Sequence, residues 1–416
     1  MNTKKNLVFP LLLAAFITLI PAFNVSADEG RYLVKSTKSF WKNALGARHN
    51  FENGFTTELS DFQVKFHRLL GLEIEPVKVL QILPAENVES VILAPTESPT
   101  ATPKVLAPPR GKKVIRPVPS DQTPWGIEVI YNDASLNKTA GGDNVKVAVL
   151  DTGILTSHPD LKARILQCKD FSDFRNPVIN GKCEDKNGHG THVAGIIAAD
   201  TGADGLGING VAPAARLLIY KVCGNNGLCY SDDIAAALRM AADEKANVVN
   251  MSFGADSEIP LVFDAINYAI SKGVLPIAAA GNDGPFLDSI DYPAAISSVV
   301  AVGAINPLKA VTEWSSRGIN LSTTPYVVED HDIEFAAPGE NIESTYNNGG
   351  YAILSGTSMS SPFVAGLAAK YWQFASENAA AATRDFLHVL AQDLLPLGDD
   401  NDSGFGLPIV PVEPLP

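Results

Sequence analysis

The chain has 416 residues, 46% hydrophobic and 19% charged, which is enough for a substantial core in one or two domains and too apolar for a wholly disordered chain. Its formal net charge of −14 argues against wholesale electrostatic attraction to nucleic acid. The charge is uneven: residues 1–117 carry 15 Lys and Arg against 10 Asp and Glu, and residues 118–416 carry 17 against 36. A basic front and an acidic remainder attract each other, although solubility alone would also explain the acidity.

Residues 1–27 read as an export signal. Lys4 and Lys5 start it, Leu7–Ile20 is a 14-residue apolar run, and Val25-Ser26-Ala27 supplies small residues for a cut after Ala27. The run is short of the roughly 20 apolar residues that span a bilayer, so no membrane anchor is expected. The mature protein is expected outside the cell, or in the periplasm of a Gram-negative source. Residues 28–94 carry their own apolar pattern (Tyr32–Val34, Phe62–Leu72, Val77–Leu83, Val88–Leu93) and suggest a small α+β unit. Residues 95–120 hold Pro95, Pro99, Pro103, Pro108, Pro109, Pro117 and Pro119, the composition of an extended linker. Its basic cluster, Arg110, Lys112, Lys113 and Arg116, is a target for proteolysis.

From about residue 121 to 407 short apolar runs alternate with helical stretches. Val145–Leu150, Leu217–Val222, Val248–Met251, Val274–Ala279 and Val299–Val302 read as buried strands. Asp232–Lys245, Pro260–Lys272 and Ser358–Phe374 read as helices. That alternation predicts an α/β fold, a mostly parallel sheet with helices on both faces, with function at the carboxyl ends of its strands. Residues 408–416 form a Pro-rich tail. The four cysteines, Cys168, Cys183, Cys223 and Cys229, are even in number in an exported chain and favour disulfides. Of three pairings, Cys168–Cys183 with Cys223–Cys229 is expected, because each pair brackets a loop-like stretch. Zinc is disfavoured: there is no CxxC, and His189 and His192 lack a familiar ligand spacing.

Three motifs stand at strand ends or helix starts. Val145–Leu150 runs into Asp151-Thr152-Gly153; Asn187-Gly188-His189-Gly190-Thr191-His192 opens an apolar helix; Gly356-Thr357-Ser358-Met359 opens another. A carboxylate beside a histidine fixes the imidazole tautomer and stabilises the imidazolium, and the histidine takes the proton of an otherwise poor serine nucleophile. Singly, such residues are turn, cap or helix-start residues; His192, one turn beyond His189, reads as a packed histidine. In this order and context they point to nucleophilic catalysis. Ala280-Gly281-Asn282 follows another strand, and Asn282 is placed to donate to an oxyanion.

With these blocks, residues 121–407 resemble the subtilisin-like serine proteases, the subtilases. The likeness extends to Val249-Asn250-Met251-Ser252-Phe253-Gly254, Phe335–Gly339 and Gly404–Leu407. It implies a triad of Asp151, His189 and Ser358 with Asn282 in the oxyanion hole, and an acyl-enzyme route. It implies a primary specificity pocket walled by Ser252, Phe253 and Gly254 and by Ala279, Ala280 and Gly281. It also implies a substrate edge at Asn226–Leu228, to which peptide adds as a strand. Residues 28–94 then resemble the inhibitory, folding-assisting propeptide, with maturation by cleavage in the linker. No cofactor is implied for catalysis. A structural Ca²⁺ is implied at Asp160, Asp204, Leu206 and Ile208. The implied partners are protein or peptide substrates and the chain's own propeptide, in a monomer.

Asp283, Asp288 and Asp291, in the loop after Asn282, are expected to face solvent; the alternative is that one borders the pocket and favours a basic substrate residue. Residues 320–332 look inserted. A non-catalytic scaffold is disfavoured by the full set of chemical groups, and an acid-active sedolisin relative by His189 and Asn282. Activity is expected to rise through about pH 6.5 as His189 loses its proton.

Overall fold

A computed structural model describes residues 29–83, 91–92, 114–201, 205–320 and 326–411. The export signal expected in residues 1–27, most of the Pro-rich linker, Asp204 and the end of the tail lie outside the described residues. The chain folds as two compact units, Met1–Lys78 and Val79–Pro416.

In the first unit, β1 (Glu29–Val34), α1 (Ser39–Leu45), β2 (Asn50–Phe51), β3 (Gly54–Ser60), α2 (Asp61–Leu69) and β4 (Ile74–Pro76) follow one another. The sheet order is β2-β3-β1-β4, and β1 pairs antiparallel with both β3 and β4. Alternation places Val34, Phe55, Leu59 and Ile74 inward, where Val64 of α2 meets them. Ser60 and Gln63 close a capping box that starts α2 directly after β3.

The second unit begins with three strands, β5 (Val79–Ile82), β6 (Val91–Ile92) and β7 (Val114–Arg116), then α3 (Trp125–Tyr131). Next come β8 (Lys146–Asp151), β9 (Ile165–Asp170), β10 (Ile179–Asn180), α4 (His189–Ala198), β11 (Arg216–Lys221) and β12 (Leu228–Tyr230). After them lie α5 (Ser231–Asp243), β13 (Val248–Met251), β14 (Phe253–Gly254), α6 (Pro260–Ser271), β15 (Leu275–Ala279), β16 (Val300–Ile305) and β17 (Phe335–Pro338). The chain ends with β18 (Ile342–Thr345), β19 (Tyr351–Leu354), α7 (Thr357–Lys370), α8 (Ala379–Leu390), β20 (Ala391–Gln392) and β21 (Leu407–Pro408).

The main sheet has eight strands in the order β10-β9-β11-β8-β13-β15-β16-β17, parallel throughout except for the antiparallel edge pair β10–β9. Alternate residues Val147 and Val149, Leu217 and Ile219, and Val300 and Val302 share one core with α4 and α7. The helices α5 and α6 pack together and against β8 and β15. A sheet covered on both faces needs strands apolar at every position, and β13, β15, β16 and β17 are buried along their whole length. This is the fold class expected from the sequence. The parallel arrangement brings the ends of β8, β11, β13 and β15 to one rim.

Both expected disulfides are formed, Cys168–Cys183 and Cys223–Cys229.

Candidate active site

Asp151 is the last residue of β8, and His189 is the first of α4. The Nδ1 of His189 lies 2.8 Å from Asp151 Oδ1 and 3.0 Å from Oδ2, and Asp151 Oδ1 also accepts the Thr152 N–H at 2.6 Å. Gly188 caps α4 at φ 106°, where a Cβ would fall 2.2 Å from the Tyr346 ring, so only glycine lets the helix start here. With Nδ1–H donating to the carboxylate, Nε2 is the acceptor nitrogen. It is buried and has no hydrogen-bond partner among the described residues. Burial is the largest influence on the His189 pKa and lowers it. The charge and hydrogen bond of Asp151, with the charge of Asp185, outweigh burial and hold the imidazole above the ordinary 6.5.

Ser358 is the second residue of α7, whose N-terminus is opened by Gly356 at φ 149°. Its Oγ donates to the Ser252 carbonyl at 3.1 Å, and Ser252 Oγ donates in return to the Ser358 carbonyl at 3.0 Å. Asn250 Nδ2 donates to Ser252 Oγ at 2.9 Å. Asn282 follows β15, and its Oδ1 accepts the Thr357 N–H and lies 3.0 Å from Thr357 Oγ1. That orients the Asn282 amide so that Nδ2 faces Gly356, where a Cβ would sit 3.4 Å away. The start of α7 thus combines a hydroxyl, helix N-terminal N–H groups and a fixed amide donor.

Phe253 and Gly254 form β14, and Ala279, Ala280 and Gly281 end and follow β15; all are buried. Their backbones are tied to neighbours: Ala280 N–H donates to Val302 O at 3.0 Å, and Gly281 N–H to Thr357 Oγ1 at 3.1 Å. Between β12 and β14 lies β5 as the central strand of a three-stranded antiparallel sheet. Its register pairs Leu80 with Cys229, Gln81 with Leu228 and Gly254, and Ile82 with Phe253. Leu80 packs among Ile259, Val262, Phe263, Tyr292, Pro293 and Ile296.

Of the edge expected at Asn226–Leu228, Gly227 and Leu228 both pair with β5. Pairing runs from the Gly227 carbonyl, which accepts Ile82 N–H at 2.9 Å, through β12 to Tyr230. Asn226 is exposed, and its side chain accepts Leu228 N–H within the turn closed by Cys223–Cys229. His192 is a packed residue: its Nε2 lies 3.0 Å from the carbonyls of Ile342 and Ala352.

Asp160 is buried, and its Oδ2 accepts the Ile208 N–H at 2.9 Å and the Tyr351 hydroxyl at 2.8 Å. A Cβ on Gly207 would fall 2.2 Å from Asp160 Oδ1, so Asp160 and the loop bearing Leu206 and Ile208 are in close contact. Asn209 Oδ1, at the end of that loop, is buried without a hydrogen-bond partner among the described residues.

Sequence reasoning missed two buried charges at this rim, Lys221 and Asp185. Lys221 ends β11 and donates to Thr152 O at 2.6 Å and to Cys223 O at 3.0 Å. Burial lowers its pKa against the pull of Asp170, Asp185 and Asp151. A lysine closing an apolar strand was the visible signal. Asp185 accepts from Gly188 N, Thr191 N, Thr191 Oγ1, Asn187 N and Thr152 Oγ1 at 2.7–2.9 Å. Asp291 was expected in solvent, with a place at the pocket border as the alternative. Asp283 and Asp288 are exposed, but Asp291 is buried, because its backbone is tied to Ala280 and its side chain turns between two glycines.

The Subtilase family model matches residues 142–406. The chain is 39% identical to "Subtilisin" of Bacillus sp. (strain TA39) over 98% of this chain and 99% of that protein. Among solved structures, "S41 Psychrophilic Protease" superposes with a TM-score of 0.67 at 46% identity, covering 70% of this chain and 99% of that one. "Sphericase" gives 0.67 at 45% identity, with the same coverage.

Proposed function

The chain belongs to the subtilase family of serine-type endopeptidases, and we propose that it is a secreted enzyme made as a precursor and matured by its own activity. Asp151, His189 and Ser358 are its triad, and Asn282 is the side-chain oxyanion donor. The observation that carries this reading is the Asp151–His189 pair, 2.8 Å apart and buried, with an unpartnered Nε2.

In the mechanism, Asp151 holds the Nδ1–H tautomer, leaving Nε2 to receive the Ser358 proton. The Ser358 hydroxyl swings from the Ser252 carbonyl to Nε2, and Oγ attacks the peptide carbonyl. His189 then delivers the proton to the leaving amine, an acyl-enzyme forms, and water repeats the steps in reverse. Asn282 Nδ2 and the Ser358 N–H stabilise the tetrahedral oxyanion. Substrate adds as an antiparallel strand between β12 and β14, with its primary side chain between Ser252–Gly254 and Ala279–Gly281.

The N-terminal 28–94 segment acts as the propeptide. Support comes from β5, which occupies both backbone edges that a substrate would use. Asp160 with residues 204–208 supplies hard oxygen donors suited to a structural Ca²⁺, which would stiffen that loop and take no part in the chemistry.

The test is a fluorophosphonate label and a mixed peptide digest read by mass spectrometry. Mature wild-type protein should label at Ser358 and cut peptides, and Ser358→Ala should do neither and accumulate as uncleaved precursor. Unlabelled, inactive protein verified as folded and matured would support the scaffold reading instead.

A further inference from the structure

A third segment joins the stretches Phe253–Gly254 and Ala279–Gly281, assigned above as pocket walls. Asp291 N–H donates to the Ala280 carbonyl at 2.8 Å. The next residue, Tyr292, exchanges backbone hydrogen bonds with Ala255: Tyr292 N–H donates at 2.9 Å and Ala255 N–H at 3.0 Å. One short stretch is therefore fastened to both walls, and the Asp291 side chain turns in between them. Its Oδ2 lies 2.6 Å from where a Cβ on Gly254 would stand and 3.0 Å from the same position on Gly281. The two glycines make room for this carboxylate.

Asp291 is 5% exposed. Among the described residues no group donates a hydrogen bond to its carboxylate and no cation pairs with it. The charges that face it are the carboxylates of Asp283 and Asp256, both on exposed residues. Burial, and then these two charges, push its pKa up to about 7. A buried carboxylate without a partner opposes folding, and its partner is then sought in what the slot binds.

We propose that Asp291 is a specificity residue that selects lysine or arginine immediately before the bond cut, by receiving the cationic head at the closed end of the slot. The proposal rests on the pocket assignment made above. The assigned walls, Phe253–Gly254 and Ala279–Gly281, carry no charge of their own, which suits the methylene stem of such a side chain, and the carboxylate suits its head. Binding a cation there supplies the charge that the site lacks and favours the ionised form of Asp291. The chain's own linker offers fitting residues, Arg110, Lys112, Lys113 and Arg116.

The test uses mature enzyme at about pH 8.5, where Asp291 is ionised. Four peptides differ only in the residue before the cut: lysine, arginine, norleucine or phenylalanine. Within one preparation the ratio of kcat/KM for lysine over norleucine cancels the active fraction and the titration of His189. Wild type should favour lysine by about tenfold or more, and Asp291→Asn and Asp291→Ser should each lower that ratio about tenfold. A wild-type enzyme that cuts after norleucine or phenylalanine as well as after lysine overturns the proposal, even if neither variant folds. So does an unchanged ratio in the folded variants. Turnover of any of the four peptides leaves the protease reading standing; turnover of none, by folded mature protein, removes both.

Discussion

Thr152 Oγ1 donates a 2.9 Å hydrogen bond to Asp185 Oδ1, and the same threonine oxygen accepts the Gly190 N–H at 2.9 Å. This contact joins the residue after Asp151 to the turn before His189, so the two partners of the proposed proton relay are held by one buried carboxylate. Asp185→Ala removes the acceptor for Gly188 N and Thr191 N, each loss costing about 1–3 kcal/mol. A misplaced imidazole of about 1 Å costs on the order of 10²-fold in rate. Both a lower Tm and a lower kcat are expected, measured on titrated active sites; a variant with wild-type kcat would show that Asp185 does not position the pair.

The pH profile follows from the same neighbourhood. Protonated His189 cannot accept from Ser358, so activity rises as the imidazole loses its proton. Because Asp151 and Asp185 outweigh burial and raise its pKa, the acidic limb of kcat/KM should lie above pH 6.5. Asp185→Asn takes away one of the raising charges and should move the limb to lower pH. A limb at or below 6.5 in the wild type contradicts this electrostatic balance.

Asn282→Ala removes an oxyanion donor while leaving the Asp151–His189 pair intact. In subtilisin itself the loss of such a donor costs about 10²–10³ in kcat, and a similar loss with little change in KM is expected here. Steady-state kinetics on one peptide decide it. A drop confined to KM would assign Asn282 to ground-state binding.

Far from the catalytic rim, Glu334 is fully buried and holds α8. It accepts from Arg384 Nε at 2.8 Å and Nη2 at 2.6 Å, and its Oε1 lies 2.7 Å from His388 Nε2. Burial raises the Glu334 pKa, but Arg384 and His388 prevail and lower it below the ordinary 4.5. Its stabilising effect is therefore complete above pH 4.5 and is lost as pH falls through the lower folded-state value. Glu334→Ala should cost about 3–5 kcal/mol near neutral pH by leaving Arg384 uncompensated. Unfolding curves in an Ser358→Ala background, which avoids autolysis, measure both effects.

If Asp160 and its partner loop hold Ca²⁺, chelation should lower the Tm, and added Ca²⁺ should restore it where Mg²⁺ does not. Asp160→Asn should abolish the difference between chelated and Ca²⁺-loaded protein. A Tm indifferent to chelation argues that the hydrogen bonds of this carboxylate, those from Ile208 and Tyr351 among them, satisfy it without an ion.

Much of the molecule was legible in one dimension. The strands around Val147, Leu217, Val248 and Ile277 announce themselves because a sheet covered on both faces requires unbroken apolar runs. The cysteine pairing was readable because each pair closes a short loop, with 15 and 6 residues of separation. Asp151, His189 and Ser358 stood out because each occupies a strand end or helix start, where local sequence dictates the backbone. The strand edge at Gly227 and Leu228 was legible, but its continuation to Tyr230 depends on how the turn before β12 folds, and Asn226 lies in that turn.

By itself the sequence determined the layered α/β fold, the order of the catalytic blocks and the disulfide partners, all of which follow from local pattern and spacing. Only the tertiary structure decided which acidic residues are buried beside the site. Asp185 and Thr152 are 33 positions apart, and Asp291 meets Gly254 of β14 and Gly281 after β15. A carboxylate's burial, partners and charge balance are properties of the space around it, and that space is assembled by packing distant segments, which no local pattern records.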